Sequence, residues 1–204
     1  MAQRFYVETL GCPKNQVDSE KLIGTLLADG MTPTDDASKA DLVVVNTCAF
    51  IDEARRESID TILALDDQRK KGARLVVTGC MAERYGDELS EALPEVDQVA
   101  GFGVPVNLMA KPGRTSIPVT SAPLPTLDLL NLPRPKSASP WAYVKIAEGC
   151  DRNCGFCAIP SFRGPQRSRD LAAVLAEVEQ VGAKEIVLVA QEDRKSTRLN
   201  SSHT

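Results

Sequence analysis

Residues 41–48 read Asp-Leu-Val-Val-Val-Asn-Thr-Cys, a continuous apolar run with a cysteine directly after it. Three consecutive valines favour a strand, and the absence of alternation is typical of a strand buried on both faces of a parallel sheet. Residues 74–80, Arg-Leu-Val-Val-Thr-Gly-Cys, repeat this arrangement. The fold class that these two stretches predict is α/β.

Helical patterns separate the predicted strands. A first strand is expected at residues 4–10, followed by a helix that Gly30 closes. A second helix is predicted over residues 52–71, a third over residues 82–93, and a fourth strand at residues 96–100. The inner face of the second helix is expected to carry Ile59, Ile62, Leu63 and Leu65. This alternation implies right-handed crossovers and a Rossmann-like parallel sheet in residues 1–111.

Cys12, Cys48 and Cys80 each follow the end of a predicted strand. Ligands of parallel sheets bind beyond the carboxyl ends of the strands, so we expect these cysteines to meet at one edge. A single buried cysteine is more often a small hydrophobic residue, but three at equivalent positions indicate a site that offers three thiolates to one ligand.

The sequence changes character after residue 111. Residues 112–140 contain seven prolines, which predict an extended linker. Residues 141–192 then read as the start of a second domain with one β-loop-α-β unit. Its strands are expected at residues 141–147 and 185–190, around a helix at residues 171–181. Residues 193–204 are polar and aperiodic, and we interpret them as a non-native tail.

The second domain contains Cys150-Asp-Arg-Asn-Cys154-Gly-Phe-Cys157. Four-iron clusters normally take four cysteine ligands, so three thiolates at this spacing would leave one iron open to a small molecule. Structural zinc is the alternative, although it usually pairs two Cys-x-x-Cys knuckles or adds histidine. Phe156 could pack on a ligand or fill the core.

We call Cys150, Cys154 and Cys157 the triplet. A basic cluster follows it, formed by Arg163, Arg167 and Arg169. The sequence leaves two interpretations open: a solvated loop, or a surface that attracts an acidic substrate. The only histidine of the chain is His203, so histidine-dependent zinc hydrolases and Ser-His or Cys-His catalytic pairs are disfavoured.

The whole chain has 204 residues, a formal net charge of −4 and a pI near 5.2. This balance argues against a broad polybasic face for nucleic acid, so no DNA partner is expected. No apolar stretch is long enough to span a bilayer, and the first residues lack the pattern of a signal peptide. We therefore expect a cytoplasmic protein with no membrane partner, whose cysteines bind metal rather than form disulfides.

Four blocks resemble the methylthiotransferases of the radical S-adenosylmethionine superfamily: LGCPKNQVDSE, VVVNTCAFIDEARRESID, VTGCMAERYGDEL and WAYVKIAEGCDRNCGFCAIPSFRGPQRSR. They surround Cys12, Cys48, Cys80 and the triplet, and the match runs to about Gln191. The segments GCPKN and FRGPQRSR are similar in sequence to those of the subgroup that modifies an aspartate of ribosomal protein S-12.

The resemblance implies two 4Fe-4S clusters and S-adenosylmethionine as cofactors. Cys150, Cys154 and Cys157 would bind the radical cluster, with Phe156 as a possible S-adenosylmethionine contact, and Cys12, Cys48 and Cys80 would bind an auxiliary cluster. The implied reaction is methylthiolation of the aspartate β-carbon, with an electron donor such as a flavodoxin or ferredoxin. The second domain would be the start of a partial (β/α) barrel.

Two rival functions remain open from the sequence. One is a methylthiotransferase acting on adenosine in transfer RNA, and the other is a non-catalytic iron–sulfur or zinc module. Members of the family continue through a complete partial barrel and a small C-terminal β domain. We therefore expect the 204-residue chain to be a truncated fragment that is inactive by itself.

Overall fold

The structure, a computed structural model, describes residues 3–102, 104–106, 113–115 and 130–192. Most of the predicted linker, its boundary at residue 111 and the predicted tail lie outside the described residues.

The larger sheet of the described part confirms the predicted parallel α/β fold. Its strands pair in parallel in the order β2-β1-β3-β4-β5-β6. They are β1 (Arg4–Thr9), β2 (Thr32–Pro33), β3 (Leu42–Thr47), β4 (Arg74–Gly79), β5 (Gln98–Ala100) and β6 (Gly113–Thr115). Every residue of β3 is buried, as its unbroken apolar run predicts. In the central register Val44 pairs with Val7 on one side and Val76 on the other.

Three helices cover the sheet on both faces. They are α1 (Pro13–Ala28), α2 (Asp52–Gln68) and α3 (Cys80–Ala92). Leu26 of α1 packs with Phe5 and Val44 on one face, whereas Ile62 of α2 and Leu89 of α3 pack on the other. The chain winds outward from β1 to β2 in one direction and from β3 to β5 in the other. The switch between these directions lies between β1 and β3, where doubly wound folds place their ligands.

The second helix differs from its prediction in two respects. Leu63 is 39% exposed, so its assignment to the inner face is wrong, whereas Ile62 and Leu65 are buried. The helix also ends at Gln68 instead of residue 71. Arg69 has an extended backbone conformation there, and its guanidinium pairs with Asp97, beside the start of β5.

The described residues after the linker contain the predicted β-loop-α-β unit. Its elements are β7 (Trp141–Lys145), β8 (Ala147–Glu148), α4 (Ile159–Arg163), β9 (Arg167–Ser168), α5 (Leu171–Val181) and β10 (Glu185–Val189). Strands β7 and β10 are parallel and joined through α5, while β8 and β9 form a short antiparallel pair that the sequence did not predict. Helix α5 has its predicted limits, with Asp170 as its N-cap. The assignment of this unit as the truncated start of a partial (β/α) barrel remains a prediction.

The second unit packs against α1, the helix that follows β1. Two buried groups of charges lie at this contact, one around Glu177 and the other around Glu148. No helix within the described residues has the length and apolar character needed to cross a membrane.

Candidate functional site

Three strand ends of the larger sheet lead directly to cysteines. Cys12 precedes α1, whose first residue Pro13 suits a helix start because it lacks an N–H that would be unpaired there. Cys80 is the first residue of α3, and Cys48 follows β3. Cys12 and Cys80 therefore both lie at the N-terminus of a helix, where the peptide dipoles carry partial positive charge.

The backbone at these strand ends is held by short-range contacts. Asn15 donates its side-chain amide to the carbonyls of Leu10 at 2.9 Å and Thr47 at 3.0 Å, which joins the ends of β1 and β3. The Ser58 hydroxyl accepts a hydrogen bond from the N–H of Cys48 at 3.2 Å. The positions of the cysteines therefore follow from the sheet and its first helical turns.

The three strand-end cysteines line one cavity of about 370 Å³. Its opposite wall comes from the second domain and includes Ile159, Phe162, Arg163 and Gln191. A larger cavity, of about 460 Å³, lies between α2 and α3 and is lined by none of the six cysteines. The cysteine-lined cavity thus lies between the larger sheet and the β-loop-α-β unit.

Cys80 is buried, and it receives a hydrogen bond from the second domain. Arg163 Nη2 donates to Cys80 Sγ at 3.1 Å and to Asn15 Oδ1 at 2.8 Å. Burial raises the pKa of the Cys80 thiol, and the charge and hydrogen bond of Arg163 oppose that rise without cancelling it. Cys80 therefore has a basic group beside it in a site shielded from water.

Arg163 belongs to a buried network of charges. Its Nη1 donates to Asp18 Oδ2 at 2.9 Å and to the Glu148 carboxylate at 3.2 and 3.3 Å. Lys145 donates to the same two carboxylates. Burial alone would raise the pKa of Glu148, but Lys145 and Arg163 hold it below its ordinary value. We call these four residues the Glu148 network.

The compact triplet lies on the loop between β8 and α4. Cys150 is buried, Cys157 is half-buried and Cys154 is exposed. Cys150 Sγ accepts a hydrogen bond from the N–H of Arg152 at 3.4 Å, and the N–H of Cys157 donates to the carbonyl of Cys154 at 3.1 Å. The loop therefore keeps the three thiols within one short turn-rich segment.

The structure decides between several open interpretations near the triplet. Phe156 is 90% exposed, so the core-filling interpretation is wrong, and a ligand contact remains a prediction. The side chains of Arg163 and Arg169 are buried and paired with carboxylates of the chain, so they form neither a solvated loop nor an attracting surface. Arg167 is half-buried on β9.

The donor chemistry of both cysteine groups fits a soft metal such as the iron of an iron–sulfur cluster. As the side chains stand, no set of three or more histidine, cysteine or acidic groups in the described residues is placed to hold a metal ion. The strand-end thiols nevertheless share one cavity, and the triplet shares one loop.

The sequence-based reasoning missed most of the Glu148 network. Lys145 lies among the mostly apolar residues of the strand predicted at 141–147, and Glu148 follows that strand directly. Charged residues are rarely buried without partners, so this pair was the available signal. Asp18 gave no such signal, because one acidic residue on an amphipathic helix ordinarily faces solvent.

Fold and site together define a class: a two-part α/β protein with a cysteine-lined cavity between its doubly wound sheet and a second β-α-β unit. Residues 4–101 match the family described as "Uncharacterized protein family UPF0004".

Similar curated proteins extend the comparison through the second unit. The chain is 46% identical over 195 residues to the ribosomal protein uS12 methylthiotransferase RimO of Myxococcus xanthus, covering 92% of this chain and 41% of that protein. It is 45% identical over 199 residues to the protein of the same name from Desulfosudis oleivorans, covering 93% and 45%. It is 43% identical over 230 residues to the protein of the same name from Frankia casuarinae, covering 93% of this chain and 44% of that protein.

Over the length that it spans, the chain is similar to these methylthiotransferases, as a fragment of such a protein would be. The chain spans less than half the length of these three relatives.

Proposed function

We propose that the protein is a radical S-adenosylmethionine methylthiotransferase that modifies the β-carbon of an aspartate in ribosomal protein S-12. The observation that carries this proposal is the cavity lined by Cys12, Cys48 and Cys80 and closed by the second domain. The names of the similar curated proteins support the reaction and the substrate.

Each cysteine group has one role in this proposal. Cys12, Cys48 and Cys80 hold an auxiliary 4Fe-4S cluster, and the triplet at Cys150, Cys154 and Cys157 holds the radical cluster. When bound, the clusters and S-adenosylmethionine supply the radical and sulfur chemistry. Phe156 is exposed beside Cys157, where it would contact S-adenosylmethionine.

The other residues of the cavity shape its environment. Ile159 and Phe162 give it an apolar wall, which excludes water from reactive species. Among the residues that the structure describes, Lys14 and Arg163 are the cations that line it. Arg163 already donates hydrogen bonds to Asp18 and Glu148. Lys14 is therefore the cation that would pair with the carboxylate of the substrate.

The remaining partners follow from the same proposal. A small electron donor such as a flavodoxin or ferredoxin would deliver the electron. The site of action is the cytoplasm, where ribosomal protein is available, and neither a membrane nor DNA takes part.

The metal assignment is tested by anaerobic reconstitution with iron and sulfide. Replacing Cys150, Cys154 and Cys157 by alanine should remove about half of the iron, because the strand-end site would keep its own cluster. The matched variant with alanine at Cys12, Cys48 and Cys80 should lose the other half. The EPR spectrum should respond to S-adenosylmethionine only while the triplet is intact. Stoichiometric zinc, or a spectrum indifferent to S-adenosylmethionine, would instead favour a non-catalytic module.

The substrate is tested in cells that lack the parent gene. Mass spectrometry should find ribosomal protein S-12 without its methylthio group, while transfer RNA keeps its own. Loss of the modification from transfer RNA alone would contradict the proposal and favour the rival enzyme.

A further inference from the structure

Arg163 is contributed by the second domain but contacts the cysteine site of the first. It is the last residue of α4, and it is 4% exposed. Its guanidinium carbon lies 4.2 Å from the ring centroid of Phe102, which follows β5. One N–H group reaches Cys80 Sγ at 3.1 Å. The side chain thus spans the contact between the domains.

The partners of Arg163 fix its orientation. Asp18 and Glu148 accept hydrogen bonds from Nη1, whereas Nη2 is directed to Asn15 and Cys80. The planar guanidinium makes these contacts simultaneously, which an ammonium group on a flexible stem does less well. The N–H that faces the sulfur is therefore preorganised by groups that do not bind metal in the proposed function.

The charges of the Glu148 network also balance. Two carboxylates, Asp18 and Glu148, face two cations, Lys145 and Arg163. A negative charge on Cys80 would add to a network that is already neutral, and Arg163 is the member in contact with it. The network therefore presents a fixed positive group to the sulfur without a net charge of its own.

We propose that Arg163 is a positioning residue of the auxiliary site, through which the second domain orients the Cys80 sulfur and stabilises negative charge on it. This inference rests on the proposed function, because it assumes that Cys80 is a cluster ligand. Hydrogen bonds to cysteine sulfur and nearby positive charge favour the reduced, more negative state of an iron–sulfur cluster. Arg163 consequently raises the midpoint potential of the auxiliary cluster.

The experiment compares Arg163→Gln and Arg163→Lys in the 204-residue chain with alanine at Cys150, Cys154 and Cys157, so that only the strand-end site holds iron. After anaerobic reconstitution, iron content and the midpoint potential are measured, the latter by EPR during stepwise reduction. Arg163→Gln should lower the potential, and Arg163→Lys should lower it less because it keeps the charge.

Arg169→Lys and Arg169→Gln are the matched controls. Arg169 is also buried after the triplet, but it pairs with Glu177 at 2.7 Å and donates to the carbonyl of Lys145 instead of a cysteine. Neither control should shift the potential. A control shift as large as that of the Arg163 variants would show a general effect of packing and overturn the proposal.

An unchanged potential in Arg163→Gln would also overturn it. Should that variant retain no iron, Arg163→Lys decides: a lowered potential supports the positioning role, and an unchanged one contradicts it. If further alanine replacement of Cys12, Cys48 and Cys80 leaves the iron content unchanged, the proposed function fails instead. The two failures are therefore distinguishable.

Discussion

At the scale of the residue, Gly11 shows how closely β1 and β3 approach at the cysteine site. Its φ angle is +91°, and a Cβ built on it would lie 2.7 Å from Cys48 Cβ and 2.9 Å from Cys48 Sγ. Distances below 3 Å require a shift of Cys48. Both the conformation and the space at this position therefore require glycine.

We expect Gly11→Ala to reduce both stability and the iron content of the strand-end site. The positive φ angle alone costs about 1–2 kcal/mol for alanine, and the contact with Cys48 adds to it. Gly30→Ala is the matched control, since Gly30 has a φ of +80° but nothing within 4 Å of its built Cβ. Urea denaturation should show a loss for both variants, and iron should fall only in Gly11→Ala. Full iron content in Gly11→Ala would contradict this account.

A second prediction at this scale concerns Glu148, whose folded-state pKa is lowered from 4.5 to about 2. As the pH falls, Glu148 is protonated at a higher pH in the unfolded chain than in the folded one. Its stabilising contribution is therefore complete above about pH 4.5 and is lost as the pH falls toward 2. Lys145, Arg163, Gln191 and the backbone N–H of Gly149 donate hydrogen bonds to this carboxylate.

Urea denaturation between pH 6 and pH 3 should show this loss of stability. Glu148→Gln should be less stable at pH 6 and should vary less with pH, since Lys145 and Arg163 lose a charged partner. Glu57→Gln, on the exposed face of α2, controls for the removal of a carboxylate. Equal slopes for Glu148→Gln and Glu57→Gln would count against the network.

At the scale of the element, α1 has a buried polar stripe in addition to its apolar face. Asn15, Asp18 and Lys21 form this stripe at intervals of three, and half-buried Gly24 follows at the same interval, so successive members are neighbours along the helix. Asp18 and Lys21 pair with the second domain, and Gly24 lies against the backbone of Pro133. The helix is therefore packed between the sheet and the second domain.

Gly24→Ala should destabilise the chain, although at a solvent-exposed helix position alanine is more stable than glycine by about 1 kcal/mol. A Cβ at this position would lie 2.4 Å from the carbonyl oxygen of Pro133. The segment that places buried Arg134 beside Glu177 would have to move. Hydrogen exchange of residues 130–136 and urea denaturation provide the measurement, and a stabilised variant would contradict the close contact.

At the scale of the whole molecule, the two domains are joined by two buried charge networks. Glu177 pairs with Lys21 at 3.0 Å, Arg134 at 2.8 Å and Arg169 at 2.7 Å. Burial lowers the pKa of Lys21 to about 8, so that ion pair is a weak source of net stability. Such networks specify the relative placement of the domains more than they add free energy, because each charge is costly to bury without its partner.

Asp18→Asn tests this joining directly. It removes a carboxylate that Lys145 and Arg163 share, and breaking a buried pair in this way costs about 3–5 kcal/mol. The free energy of unfolding from urea denaturation should fall accordingly. Asp36→Asn, which removes a surface partner of Lys39, should change it far less. Similar losses in the two variants would mean that the buried network does not hold the domains together.

The sequence by itself determined the central strands, the main helices and the candidate ligands. Unbroken valine runs fixed β3 and β4, and cysteines after β1, β3 and β4 must lie at one sheet edge because parallel strands end there. These inferences depend on local patterns and on the direction of the strands. They therefore needed no knowledge of distant contacts.

Only the tertiary structure decided that the second domain closes the cysteine-lined cavity and that Arg163 reaches Cys80. Lys145 and Asp18 are 127 residues apart in the chain, and Arg163 and Asp18 are 145 apart. A charged residue on an amphipathic helix or in a basic loop has the same sequence pattern whether it faces water or a buried partner. The pairing that distinguishes the two exists only once the domains pack.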